Sequence, residues 1–237
     1  MASETRERRL TAAFVTLADT LVAGYDVVDL LQTLVDTCAD LLDASAAGLM
    51  LADPAGELAV VASTSEKSRL VETMQLSSGF GPCVQCFSTG APVTVSDVAE
   101  LGDEWPGFRE AALEQGFRSV HGVPLRLRGN VIGTLNLFRT TTGALTDEDL
   151  SVAQGLADVA TIGILQERAI READIAKNQL QHALDSRVLI EQAKGVIAYM
   201  RDVDMDEAFQ TLRSYSRNNG LNLRDVAELV VNRSLAL

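Results

Sequence analysis

The stretch that decides the fold is GFRSVHGVPLRLRGNVIGTLNLF, residues 116–138. Phe117 to Leu127 and Val131 to Phe138 are strand-like runs rich in β-branched and aliphatic residues, and Arg128-Gly129-Asn130 between them is a turn sequence. Two such runs joined so tightly must pair antiparallel. A second hairpin lies upstream, where Ala46 to Leu51 and Leu58 to Ala62 flank the turn Asp53-Pro54-Ala55-Gly56.

Between the hairpins the pattern alternates irregularly. A polar helical segment from Glu66 to Met74 leads into a loop-rich Ser77 to Cys86, followed by a strand at Pro92 to Val95 and a helix around Phe108 to Gln115. Ahead of them, Leu10 to Val22 and Val27 to Leu42 have helical apolar spacing, broken at Gly24-Tyr25-Asp26. The implied fold class is α+β: one antiparallel sheet with helices packed on it.

From Thr146 the character changes. Asp147, Glu148 and Asp149 mark a helix start, and no proline follows in the rest of the chain. Leu156, Val159, Gly163, Gln166, Ile170, Ala173, Lys177, Leu180, Leu184 and Arg187 occupy alternating first and fourth positions of a seven-residue repeat. A helix continuous to Met200 would reach about 80 Å and is expected to pair with another chain; two shorter helices broken near Asp174 are the alternative. Three helices can be drawn in the last stretch. Their apolar faces are Leu189, Ala193, Val196 and Met200; Ala208, Phe209, Leu212 and Tyr215 behind the cap Asp204; and Leu223, Val226, Ala227, Val230 and Val231 behind the cap Asn222. The expected domains are a sensor over 1–145, a coiled-coil-prone linker over 146–180 and an all-α three-helix bundle over 181–237.

With 20 Lys plus Arg against 33 Asp plus Glu among 237 residues, the net charge is −13. The surplus is not uniform. Lys177 to Leu237 holds eight basic and eight acidic residues, so the upstream part carries all of it, and half of the tail's acids crowd into Asp202, Asp204, Asp206 and Glu207. The rest of the tail is locally basic, which a chain-wide charge hides. No apolar run is long enough to span a membrane, and Met1 to Arg9 lacks the apolar core of a secretory leader. Three cysteines, Cys38, Cys83 and Cys86, are too few to staple a chain of this size, and a reducing, cytoplasmic setting is expected.

Three sets of residues in the tail carry a family resemblance: Ser186 to Ile197 (SRVLIEQAKGVI), Asp206-Glu207-Ala208-Phe209 with Leu212-Arg213, and Leu223 to Glu228 (LRDVAE). Together they resemble the three helices of an ANTAR domain. Upstream, Gly79 to Val84 (GFGPCV), Thr89 to Val93 (TGAPV) and the 116–138 stretch resemble a GAF domain. The combination is similar to actinobacterial GAF-ANTAR regulators. What the resemblance implies is transcription antitermination, in which the tail binds paired RNA stem-loops in nascent leaders and prevents the terminator hairpin from forming.

Looped RNA offers unstacked bases and close phosphates, so a reader needs cations on a solvent face plus groups that stack or hydrogen-bond. Arg213 and Arg217 are one turn apart on one helix face, Arg224 stands beside the stripe of the third helix, and Lys194 lies on the first. Arg187 and Lys194 share a stripe that equally suits a dimer seam, and Asn218, with Tyr215 and Asn219, supplies base-edge or stacking chemistry.

In the sensor half the resemblance places a cavity between the sheet and the segments Gly79 to Cys86 and Trp105 to Phe108. Cys83-Val84-Gln85-Cys86 reads first as small-residue packing in the core; because it opens a short helix whose dipole lowers a thiol pKa, a redox sensor is the second reading and a metal site the last. Trp105 either walls a pocket or fills the core, and His121, in a strand, is a core residue or a haem ligand. No catalytic constellation and no metal set emerge, so no enzyme activity is expected, and no cofactor is identified. The expected partners are RNA stem-loops, a second copy of the chain and an unidentified small-molecule effector, with no membrane. A redox- or ligand-responsive GAF signalling protein, whose tail mediates dimerisation or protein interaction, is the competing reading.

Overall fold

The computed structural model describes residues 6–19 and 27–237, and the expected break at Gly24-Tyr25-Asp26 lies outside them. The chain divides into two compact units, one up to Glu167 and one from Arg168 to Leu237.

The first unit is built on a five-stranded antiparallel sheet of β1 (Ala46–Ala52), β2 (Leu58–Ser63), β3 (Val93–Val95), β4 (Ser119–Leu127) and β5 (Asn130–Arg139), in the order β2-β1-β5-β4-β3. Both expected hairpins are present. In the first, the Asp53 carboxylate accepts from the backbone N–H groups of Ala55 (2.8 Å) and Glu57 (2.9 Å). In the second, Arg128 (φ 51°) and Gly129 (φ 84°) are both left-handed, as the type I′ turn of a two-residue hairpin requires.

Helices cover both faces. α1 (Arg6–Asp19), α2 (Val27–Leu41) and the first turns of α6 (Asp147–Arg201) lie on one; α3 (Glu66–Ser78), α4 (Pro82–Thr89) and α5 (Pro106–Glu114) lie on the other. The pleat assigns side chains between them. Ala47, Leu49, Val123, Leu125, Leu135 and Leu137 join the α1/α2/α6 core. Ala46, Met50, Val120 and Phe138 join the core of Val71 from α3, Cys83 from α4, and Phe108 and Ala112 from α5. The segment read as a loop over Ser77 to Cys86 is mostly helical, because α3 runs on to Ser78 before Gly79 (φ 73°) ends it and α4 starts at Pro82, a residue suited to a first helical turn.

α6 starts where expected. Thr146 Oγ1 accepts from the Asp149 N–H (3.1 Å) and donates to its carboxylate (2.7 Å). It is uninterrupted through Asp174, and the first part of the expected intermolecular seam is used inside the chain. Leu156 is fully buried with Ala153, Ala157, Ala160 and Ile164 in the α1/α2 core, and Val159 packs against it.

In the second unit, Ala193 and Ile197 of α6 meet Ala208 and Leu212 of α7 (Met205–Asn219) and Val226, Ala227 and Val230 of α8 (Leu223–Val231). Asp204 caps α7 through the Glu207 N–H at 2.8 Å, and Gly220 (φ 64°) ends it. Ile170, Leu180, Leu184 and Val188 of the same helix α6 remain exposed.

Candidate functional site

The α3/α4 side of the first sheet carries polar groups where a core would be apolar. Ser68, Val71, Glu72 and Gln75 form the buried stripe of α3, at the i, i+3, i+4, i+7 spacing of a helix face. Asn136 Nδ2 donates to Glu72 Oε1 at 2.7 Å. In the register of the sheet Asn136 is flanked by Gly48 on β1 and Gly122 on β4, and both glycines make room. A Cβ at Gly48 would fall 2.2 Å from Glu72 Oε2, and one at Gly122 would fall 3.0 Å from Cys86 Cβ.

The Gly81-Pro82-Cys83 stretch completes this layer. Gln75 Oε1 accepts the Cys83 N–H at 3.0 Å and Gln75 Nε2 donates to Cys83 Sγ at 3.2 Å, so one amide clasps both the backbone and the thiol. Gly81 permits the clasp: its φ of 146° suits glycine, and a Cβ would sit 2.3 Å from Gln75 Oε1.

Burial sets the chemistry of these groups. The Glu72 carboxyl is pushed up to about 8, against the pull of its Asn136 hydrogen bond, and is therefore neutral at pH 7. Glu72 Oε2, Asn136 Oδ1 and Thr134 Oγ1 are buried with no hydrogen-bond partner among the described residues. That spare capacity is what a small polar molecule would satisfy. Burial, and next the Glu72 carboxylate once it ionises above about pH 8, raises the Cys83 thiol well above its usual range, and burial pushes Cys86 up to about 12. The thiol activation that the α4 N-terminus offers is thus outweighed by desolvation. Cys38, equally buried, packs in the opposite core.

The expected sensor residues are not all together. Cys83, Cys86 and Phe108 are buried on the α3/α4/α5 side. Trp105, half-buried and edge-on to Phe108 at 6.4 Å, lines a hollow of about 370 Å³ with Thr94, Asp97 and Leu101. His121 pairs with Leu137, whose side chain faces the other core, so the pleat sends the imidazole away from the cysteines. It is pushed down to about 4, by burial first and by Arg139 second, and stays neutral. Among the described residues no group of three or more His, Cys, Asp or Glu is placed to hold a metal, and no helix is long and apolar enough to cross a membrane. Sequence reading missed Glu72, Gln75 and Asn136, which look like ordinary surface residues; the signal was the helical spacing 68, 71, 72, 75 with too few apolar members.

In the second unit Arg213 and Arg217 stand one turn apart on α7, both exposed, with no ion pair among the described residues. The acids Asp206 and Glu207 sit in the first turn, where they complement the helix dipole, and Arg217 lies about 16 Å further along the axis. Arg224 Nη1 donates toward His182 Nδ1 at 3.3 Å, so this cation is steadied by an imidazole. Sequence reading missed His182 as the partner of Arg224. Arg187 is exposed, and exposed Asn218 lines a hollow of about 420 Å³ with Arg201 and Tyr215. Lys194 differs from the rest. Its Nζ pairs with Glu191 at 2.9 Å and lies 5.7 Å from the Phe209 ring centroid, with only 14% of the side chain exposed.

Comparison with known proteins fits this division. A GAF domain family model matches residues 24–164 and an ANTAR domain family model matches residues 178–231. No curated protein matches the sequence. Among solved structures, the GAF domain of a phosphoenolpyruvate-protein phosphotransferase from Coxiella burnetii is 17% identical, covering 71% of this chain and 99% of that one, with a TM-score of 0.56. The corresponding Acinetobacter GAF domain is 16% identical over 71% of this chain and 98% of that one, with a TM-score of 0.53. A free methionine-R-sulfoxide reductase from Neisseria meningitidis, solved with its substrate, is 20% identical over 72% and 96%, with a TM-score of 0.54. At such identities the likeness is one of fold. The chain belongs to the GAF domain family and carries an ANTAR domain behind its GAF domain, the arrangement of a GAF-ANTAR regulator.

Proposed function

We propose that the chain is an RNA-binding transcription antitermination regulator that acts in the cytoplasm without catalysing a reaction. Its C-terminal bundle binds stem-loops in nascent leader RNA and keeps the terminator hairpin from forming, and its GAF domain controls this in response to a small molecule. The observation that carries the reading is the exposed pair Arg213 and Arg217, free of acidic partners among the described residues and joined by Arg224 in a segment matched by the ANTAR family. Cations held on rigid helices and left unneutralised suit phosphates. The exposed apolar side chains Ile170, Leu180, Leu184 and Val188 support pairing of α6 with that of a second copy, which would present two bundles to paired stem-loops. The spare hydrogen-bonding groups around Glu72 and Asn136 support a polar effector.

The test is a gel-shift titration with hairpins selected from a fixed-stem, randomised-loop RNA pool. Arg213→Ala with Arg224→Ala is expected to weaken binding and reduce the log–log salt slope by about 1 for each phosphate no longer neutralised. A terminator-readthrough reporter carrying the selected hairpins should lose readthrough in the same variant. Unchanged affinity and slope would defeat the assignment.

A further inference from the structure

The exposed arginines suit phosphates, and reading an unpaired loop nucleotide also calls for a place that receives its base. Within the second unit, where the last turns of α6 meet the end of α8, there is an open groove of about 780 Å³ whose walls include Gln192, Gly195, Tyr199, Val230 and Arg233. Its floor is apolar, with Val230 part of the bundle core and Val196 packed against that core. No carboxylate lines it.

Three features show that the bundle does not use this groove for itself. Tyr199 is 90% exposed and the adjacent Met200 62%, although both stand beside a groove that could have covered them. Gly195 lies in the middle of a helix, where glycine is less stable than alanine, yet a Cβ there would meet nothing within 4 Å. Among the described residues no packing calls for it. Arg233 is held at φ 59° just past α8, where its own N–H donates to Val230 O at 3.1 Å and the Ser234 N–H donates to Leu229 O at 2.8 Å. The reversal keeps the arginine at the rim.

We propose that this groove receives an unstacked base of the looped RNA. The base stacks on the Tyr199 ring, lies over the space left by Gly195, and meets the Gln192 amide and the Arg233 guanidinium along its edge. The inference rests on the RNA-binding reading above and adds the site that reads the loop. A base presents a flat π-face and a polar edge, matching an exposed aromatic ring with an amide and a guanidinium over an apolar floor. An exposed apolar helix of a second copy would match the floor but leave the amide and the guanidinium without partners.

The experiment uses the full chain, a hairpin selected from the randomised-loop pool, and the same stem with each loop position made abasic in turn. Tyr199→Ala and Gly195→Leu are expected to weaken binding of the intact hairpin at least about tenfold, while Tyr199→Phe retains it. One abasic hairpin should bind wild type as weakly as the variants do, and the variants should bind that hairpin no worse than wild type does. Gly195→Ala should raise the melting temperature, which separates the groove from helix stability, and sedimentation should be unchanged throughout. The proposal is overturned if wild type binds the intact hairpin and both variants match it. It is also overturned if their loss is equal on every abasic hairpin and accompanied by dissociation, which would place a second copy in the groove. If wild type binds no selected hairpin, the RNA-binding reading itself fails and this site falls with it.

Discussion

Asn136 on β5 donates a 2.7 Å hydrogen bond to the Glu72 carboxyl of α3, and the carboxyl occupies the space a side chain at Gly48 would need. A strand residue, a helix residue and a glycine on a third element thus define one buried polar centre. Its ionisation ties stability to pH. The folded-state pKa of Glu72 is raised from 4.5 to about 8, so the native chain keeps a proton that the unfolded chain releases. The cost of keeping it grows as pH rises through that interval and levels off above it. Glu72→Gln, which keeps the acceptor for Asn136, should remove this slope and raise stability at pH 8 by on the order of 4 kcal/mol. Urea unfolding at pH 5, 7 and 8 measures the difference between the two proteins; parallel pH profiles would contradict it.

The same centre predicts a coupling. Gly48→Ala should cost about 1–3 kcal/mol in the wild-type background, the usual penalty of overpacking, and markedly less in Glu72→Ala, where the clash is gone. Equal costs in a double-mutant cycle would mean that the glycine is not there for the carboxyl.

The thiols should be inert in the folded protein. Cys38, Cys83 and Cys86 are all free and buried, with Cys38 and Cys86 pushed up to about 12 and Cys83 raised as well. A thiol reagent at pH 8 is expected to label none of the three until denaturant is added, since thiolate and access are both lacking. Rapid native labelling of Cys83, or a Cys83–Cys86 bond formed by mild oxidant, would restore the redox reading.

Lys194 and Arg213 should separate by readout. Lys194 is folded onto Glu191 and Phe209, so Lys194→Ala is expected to lower stability by roughly 1 kcal/mol by removing the ion pair and the cation–π interaction. Its effect on the RNA salt slope should be smaller than that of Arg213→Ala, whose cation is exposed. Denaturant unfolding and salt-dependent gel shifts on both variants decide the point, and a reversed order would return Lys194 to the RNA-facing set.

Local rules made much of the fold legible. Asp53 to Gly56 and Arg128-Gly129 announce hairpins because turn backbone angles depend on the residues in the turn itself. Thr146 and Asp204 announce helix starts because a cap satisfies donors only two or three residues away. Periodicity marked α6, α7 and α8 as helices with apolar stripes, and the uneven charge set the tail apart.

The tertiary structure decided what each stripe faces. A seven-residue repeat does not distinguish a partner helix from the chain's own core, and Leu156 turned inward while Leu180 and Leu184 stayed exposed. Period two divides strand residues between faces without saying which helices cover them, so only the packed structure puts His121 and Cys83 on opposite sides of the sheet. Glu72 meets Asn136 across 64 positions of chain, and Lys194 finds Phe209 on another helix. Burial and pairing depend on contacts between residues distant in sequence, and these exist only once the elements have packed.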